Sequence, residues 1–366
     1  MGRVAIVGVG QSVHARDRND VAYAELVLEA IDEALDDAGI GLSDVDNAVT
    51  ASLDFYDGRT IANMAVADVV GSYLKPESRI CSDGIGALLY GWARIADGDH
   101  RVGLVTAHCK ESEGNLATIE GAALDPFVQR RLGADADVVA GLGARQIYAS
   151  GAFSPADAAA LVVAARAASA VNPKVTTLEA MTVADVLDAP RSATPLGVLD
   201  RAPNRDGSCA VILATEEVAR DLSENPVWIA GVGTATGKYW TDRHPGDLSA
   251  LDRARDSAVA MTGWGTDVPD VFEVSAQYAH QLCQFATSLG ADLAEAGGTL
   301  NPSGGWHGGN PVTVSGLSRV TECVHQLRGE AGPRQHHDAQ RALAHGVAGL
   351  GAQSHFVATL ETGIDG

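Results

Sequence analysis

Long apolar runs, paired cysteines and an excess of positive charge are all missing from this 366-residue chain. No stretch of 18 or more apolar residues occurs, which excludes a hydrophobic membrane-spanning helix. The opening MGRVAIVGVG lacks a small-residue cleavage site and is soon followed by Asp17, Asn19 and Asp20, so it reads as a first β-strand and not as a secretory signal. The five cysteines, at 81, 109, 209, 283 and 323, include no C-x-x-C pair. That argues against a disulfide framework or a metal site and points to a reducing cytoplasm. Basic residues number 26 against 47 acidic ones, a net charge of −21, which argues against nucleic acid or an anionic membrane as partner.

What is present is an ordinary soluble composition, 46% apolar and 20% charged, long enough for one large core or two medium ones. It contains an internal repeat. VAIVGVG at 4–10 is echoed by VWIAGVG at 227–233, and each is followed by a helical pattern, Tyr23–Gly39 and Leu248–Gly263. A short strand preceded by Asp follows each helix, within 44–53 and 267–275. Strand–helix–strand order repeated in this way implies two similar α/β halves, 1–225 and 226–366. HRVGLVTAH (100–108) and CAVILATEE (209–217) read as further strands of the first half. Between them an insertion of about 109–205 carries helices at 136–148 and 155–170 and caps the core. The Pro-punctuated stretch 181–208 reads as loop. In the second half 277–289 and 314–330 read as helices, and 342–361 as a closing strand pair.

The most informative stretch is NPSGGWHGGNPVTVSG, residues 301–316. Two glycine clusters bracket Trp306-His307, and Ser315-Gly316 opens an apolar helical run. This is a tight, backbone-exposed loop feeding a helix, a place where a reacting group can be held beside a ligand. It resembles the corresponding loop of the thiolase superfamily, specifically the sterol-carrier-protein and lipid-transfer-type thiolases. DGSCAVILATEEVA (206–219) and HQLRGEAGPRQ (325–335) are similar to further motifs of that family. The resemblance spans the chain and implies the thiolase fold: two duplicated βαβαβαββ halves in a five-layered αβαβα sandwich, with the insertion as a cap. It also implies a CoA thioester as substrate, no covalently bound cofactor and a homodimer. With so acidic a chain, any site for CoA phosphates must be built locally from a few arginines or lysines and from helix N-termini.

The chemistry of such a site needs a thiolate, an acid/base and oxyanion holes. Cys81, in RICSDGIGALLYG, falls where the family has its nucleophile, at a strand end followed by a helix start. It reads either as that nucleophile or as a small residue at a tight turn. Asp83 stands where the family has Ser or Thr and opposes a second negative charge beside it. His345, in AHGVAGLGA, matches the family's second acid/base, with Gly349 among the glycines whose amides line the cavity; a purely structural His is the other reading. Asn310 replaces the family's loop His. An amide cannot exchange protons but can donate to an oxyanion, alongside Gly305 of the same loop. Ser275-Ala276 replace a His-Asp pair, leaving Ser275 to hold an oxyanion-hole water. Tyr278 brings a phenol, either an acid/base or a packed aromatic, and His307 is a further candidate in the substrate-binding set. Restoring imidazole at 310 is expected to return part of a thiolysis activity.

Three such changes together set thiolysis aside as the first reading. The resemblance implies an acyl-CoA enzyme of lipid or steroid side-chain metabolism that makes or breaks a C–C bond near the thioester. It is a thiolase-like acyltransferase or a retro-aldolase, the latter pairing with a small zinc-ribbon/OB-fold protein. The rival is a non-catalytic subunit supporting a partner chain.

Overall fold

A computed structural model describes residues 2–264 and 268–363. The first half runs β1 (Val4–Gln11), α1 (Tyr23–Ala38), β2 (Asn47–Ala51), β3 (Glu77–Ile80), α2 (Gly84–Ala96) and β4 (Val102–Lys110). The insertion holds α3 (Leu116–Ala122), α4 (Ala136–Ser150), α5 (Pro155–Ser169), α6 (Val183–Leu187), β5 (Arg191–Ala193) and β6 (Leu196–Gly197). The half closes with β7 (Asp206–Thr215) and α7 (Glu216–Leu222). The second runs β8 (Val227–Thr236), α8 (Ser249–Thr262), β9 (Val271–Val274), α9 (Ala279–Leu289), α10 (Ser315–Arg328), β10 (Arg341–Ala348) and β11 (Ser354–Glu361). Among the described residues no single helix is long and apolar enough to cross a membrane.

The strands lie in the order β3-β2-β4-β7-β1-β8-β11-β10-β9. Read outward from the β1–β8 seam, the two halves place equivalent strands in the same sequence. The seam itself is slight, Ala5 opposite Trp228 and Ile6 opposite Val227. The second half lacks a full counterpart of β3; that position is one isolated bridge, Phe272 to Leu300. The physical reason for the repeated glycines is close approach. A Cβ at Gly8 or Gly10 would fall within 2.2 or 2.1 Å of the Ala34 and Ala30 carbonyl oxygens of α1, and one at Gly231 or Gly233 within 2.1 or 2.0 Å of those of Ala258 and Ala254 in α8. Each repeat thus lets an alanine-faced helix lie directly on its strand.

These helices form the outer layers. The central layer is α2 with α10, one from each half, and each touches strands of both halves. Ile85 and Leu88 of α2 and Leu317, Val320 and Val324 of α10 are fully buried there. The layers are therefore α1, first strands, α2/α10, second strands, α8/α9. Stretch 181–208 is not all loop: Thr182 and Asp185 close a capping box that starts α6, and β5–β6 form a small ribbon. Asp267, expected to precede β9, lies outside the described residues.

Asp83 joins the two central helices. It is the N-cap of α2, with Oδ1 accepting the Ile85 N–H at 2.9 Å, and its Oδ2 accepts the Gly316 N–H at 2.9 Å in the first turn of α10. Burial pushes its carboxyl up to about 7 against the pull of these amides. Burial likewise raises Asp57 to about 6 and Glu111 to about 8. These groups stabilise the fold while protonated, so their contribution is lost as pH rises through those values. The histidines shift the other way: burial lowers His14, His108, His280 and His307 to about 3, His355 to about 4, and His345 also falls. Unfolding takes up protons at these sites below their ordinary value, roughly 6.5, so stability falls on that side too, by about 1.4 kcal/mol per unit for each group. The unfolding temperature should therefore peak between about pH 6 and 7 and fall more steeply in acid. A temperature still climbing at pH 8 is the contrary result.

Candidate active site

Cys81 follows β3 directly and opens onto a chamber of about 240 Å³, with Tyr56, Glu120, Gln277, Tyr278 and Trp306 among its walls. Ser82 and the α2 N-terminus complete the floor, and Gly349 lies in the turn opposite. Asp83 also reaches this chamber, but its carboxylate is occupied by the backbone amides already described. Gly316 and Gly346 make room for it, since a Cβ on either would come within 1.9 or 2.0 Å of Oδ1.

The 301–316 loop is clamped to β9 from two sides. Asn301, in the left-handed region at φ 52°, accepts the Val274 N–H at 2.6 Å on Oδ1 and donates Nδ2 to the Val274 carbonyl at 3.1 Å. Ser303 donates its N–H and Oγ–H to Glu273 at 3.0 and 2.9 Å. Glu273 in turn pairs with Arg319 at 2.7 Å, both fully buried, and Arg319 also donates to Ser303 Oγ at 2.7 Å. An ion pair with its remaining valences satisfied in this way fixes geometry rather than adding net stability. The clamp presents Trp306 to the chamber.

It does not present Asn310. That side chain donates Nδ2 to the Gly305 carbonyl at 2.6 Å, while its Oδ1 accepts from His14 Nδ1 at 2.9 Å. Both groups are buried and neither lines the chamber. His14 is held neutral by burial, so Nδ1 carries the proton it donates. Asn310 thus braces the loop against the segment after β1, a role the sequence reading did not assign. His14 was also not foreseen, since a lone His three residues past a strand carries no motif.

His345 is likewise away from the chamber. Its Nε2 lies 3.0 Å from His355 Nδ1, the two rings stack at 5.3 Å, and Phe285 meets both edge-on. His307 is buried beside His280, and Ser275 is 2.9 Å from Ser315 Oγ; neither reaches the chamber. Gly305 contributes its carbonyl to Asn310. Of the eight residues singled out from sequence, the structure brings Cys81, Tyr278 and Gly349 together and leaves the other five behind the walls. Among the described lining residues none is a histidine.

A polar network from the cap stands behind Tyr278, and of its cap residues Glu120 reaches the chamber while Asp137 and Arg201 line a neighbouring cleft. Tyr278 donates its phenol proton to Asp137 Oδ1 at 2.6 Å. Arg201 holds Asp137 at 3.0 Å and Glu120 at 2.6 Å. Burial raises the Tyr278 phenol well above its ordinary value, and the hydrogen bond to Asp137 adds to the rise, so the side chain is a neutral phenol. Burial also raises Glu120. Asp137, Glu120 and Arg201 are far apart in sequence and share no motif.

Comparison with known proteins agrees with this frame. Residues 285–362 match the family described as Thiolase C-terminal domain-like. An acetyl-CoA acetyltransferase of Methanothermobacter thermautotrophicus is 28% identical, covering 96% of this chain and 97% of its own. The chain is thus similar to thiolase-superfamily proteins along nearly its whole length. A 17-hydroxy-3-oxo-4-pregnene-20-carboxyl-CoA lyase of Mycobacterium tuberculosis is also 28% identical, over 90% of this chain and 92% of its own. The solved Ltp2-ChsH2(DUF35) aldolase superposes with a TM-score of 0.82 at 22% identity, over 100% and 99% of the two chains, and so shares the fold. Within this superfamily frame, the amide at 310 is bound up in the loop's own hydrogen bonds.

The expectation for Asn310→His changes accordingly. The variant should strand His14 and the Gly305 carbonyl, lowering stability by about 1–3 kcal/mol in urea unfolding. It should show no acetoacetyl-CoA thiolysis above the unaltered chain, because the new ring stands behind the chamber wall. A gain in thiolysis would contradict this geometry.

Proposed function

We propose that this chain is a C–C lyase that cleaves a β-hydroxyacyl-CoA by a retro-aldol step. The observation that carries the reading is the make-up of the chamber: a phenol at its wall, hydrogen-bonded to the Asp137 carboxylate behind it, and no imidazole among its described walls. In the proposed step the Tyr278 oxygen takes the β-hydroxyl proton while its own proton passes to Asp137. The Cα–Cβ bond breaks to leave a carbonyl product, and the electron pair moves into the thioester as an enolate. Backbone amides of the Gly349 turn hold that enolate until water protonates it at carbon, and the proton held by Asp137 neutralises the hydroxide so formed, which restores the carboxylate. Arg201 keeps Asp137 and Glu120 in place. Cys81 forms no covalent intermediate.

The substrate class is a lipid- or steroid-derived acyl-CoA, a reading supported by likeness to the mycobacterial lyase. By analogy with the two-component aldolase of the same fold, a small zinc-ribbon/OB-fold protein is the proposed partner. Self-association through the free edge of β3 is proposed as well; Phe55, Met64, Tyr73 and Leu74 stand exposed on the segments around that strand. A cytoplasmic setting belongs to the same reading. The second reading, acyl transfer through a thiolate, is favoured by the exposure of Cys81 at the chamber.

Two substitutions separate them. With a β-hydroxyacyl-CoA, Tyr278→Phe should lower kcat by about 10²–10⁴, the usual contribution of a positioned acid/base. Cys81→Ala should lose less than about tenfold, roughly 1.4 kcal/mol in the barrier. The opposite ranking, with both variants folded, would replace the lyase by the acyltransferase.

A further inference from the structure

Tyr278 and its carboxylate partner face different spaces. The phenol stands on the wall of the Cys81 chamber, and the residue is only 2% exposed. Asp137, which accepts the phenol proton at 2.6 Å, lines the neighbouring cleft of about 450 Å³, and its side chain is 20% exposed. This one hydrogen bond therefore crosses the wall between chamber and cleft. The cleft faces solvent, since Ser192, Val198 and Asn204 stand exposed among its walls.

Backbone pairing holds that crossing in register. The Ala202 N–H donates to the Gln277 carbonyl and the Ala279 N–H to the Asp200 carbonyl, both at 2.8 Å, which sets Arg201 opposite Tyr278. Arg201 then reaches Asp137 at 3.0 Å and Glu120 at 2.6 Å. Asp137 also lies in the first turn of α4, where free amides favour a negative charge. Asp135 and Arg166 are the remaining charged groups of the cleft. Glu120 lines both spaces, but its Oε1 is taken by Arg201 and Gln277, and among the described residues no hydrogen bond joins it to the phenol. A proton taken up by Asp137 thus meets water in the cleft without passing anything bound in the chamber.

We propose that this cleft is the proton port of the site, through which the Tyr278 hydroxyl exchanges protons with solvent by way of Asp137 while substrate fills the chamber. The route stands on the geometry of the wall; its use in turnover rests on the lyase reading above. In each turnover the β-hydroxyl O–H breaks as a new Tyr278 O–H forms, and the old phenol proton forms an O–H on Asp137. That bond then breaks to water in the cleft. The hydroxide left when water protonates the enolate is neutralised by this proton, so none is gained or lost overall.

The test uses the full chain and formate, a free carboxylate small enough to refill the gap that Asp137→Ala leaves in the wall. The variant should unfold at a lower temperature than the unaltered chain, and formate should raise that temperature where equal chloride does not. The rise should persist after Cys81, the one exposed cysteine, is capped with N-phenylmaleimide to close the chamber. With Cys81 free and a β-hydroxyacyl-CoA as substrate, Asp137→Ala should lose about 10²-fold in kcat, and formate should restore at least about tenfold of it. Asp137→Asn guards against misfolding: it keeps an acceptor for the phenol but takes up no proton, so it should be as slow and gain nothing from formate. A merely structural Asp137 would leave the Asn variant near full activity, and a folded Asp137→Asn with unchanged kcat overturns the port. Stabilisation by formate that vanishes on capping also overturns it, because entry is then through the chamber. Loss and formate rescue found in Glu120→Ala instead would overturn Asp137 as the route. A chain that cleaves nothing, while its capped Asp137→Ala variant is still stabilised by formate, refutes the lyase reading alone.

Discussion

The buried carboxylate of Asp83 ties together what the rest of the site depends on. It accepts an N–H from the first turn of α2 and another from the first turn of α10, helices contributed by different halves of the chain. Cys81 stands two residues before it, and the 301–316 loop ends where its second hydrogen bond begins. The reactive surface and the loop facing it are thereby held in register by one side chain. Gly316 and Gly346 close around it so tightly that no larger residue fits. In this position a carboxylate gives up nearness to solvent, and its raised pKa follows from that burial. The same placement satisfies two helix N-termini at once, where orphan amides favour negative charge.

Around that anchor the charge is arranged by depth. The fully buried Glu273–Arg319 pair holds the loop from behind, while the half-buried Arg201 holds Asp137 and Glu120 beside Tyr278. The imidazoles are withdrawn: His14 braces Asn310, and His345 stacks on His355. All are kept neutral by burial, so they serve as hydrogen-bonding struts and not as proton carriers near pH 7. The titratable groups left at the chamber include Tyr278, hydrogen-bonded to Asp137, together with Tyr56, Glu120 and Cys81. That division follows from where the side chains sit, and it is the ground on which the lyase reading was proposed over thiolysis.

The fold was legible because its signals are local. Glycines spaced two apart in β1 and β8, alanine faces on the following helices, and the N-P-S-G-G run all reflect contacts or backbone angles that only particular residues allow. The site was legible in part. Cys81 and Tyr278 sit beside recognisable motifs and do reach the chamber. Asn310 and His345 also sit in motifs, but whether a side chain points into a cavity or back into the loop depends on partners such as His14 and His355, distant or unmarked in sequence. Asp137, Glu120 and Arg201 were invisible for the same reason. They come from the cap and the Pro-punctuated stretch, and only the packing of α3 and α4 over the core brings them together. The third strand of the second half failed to form because only Leu300 pairs there before the loop turns away.

The central claim is that the bond is broken without an acyl-enzyme. A single turnover of a β-hydroxyacyl-CoA carrying ¹⁸O at the β-hydroxyl, followed by mass spectrometry of protein and products, tests it most directly. The account predicts the label in the released aldehyde or ketone, CoA still held in a shortened thioester, and unmodified Cys81. Free CoA together with an acyl group on Cys81 would contradict it.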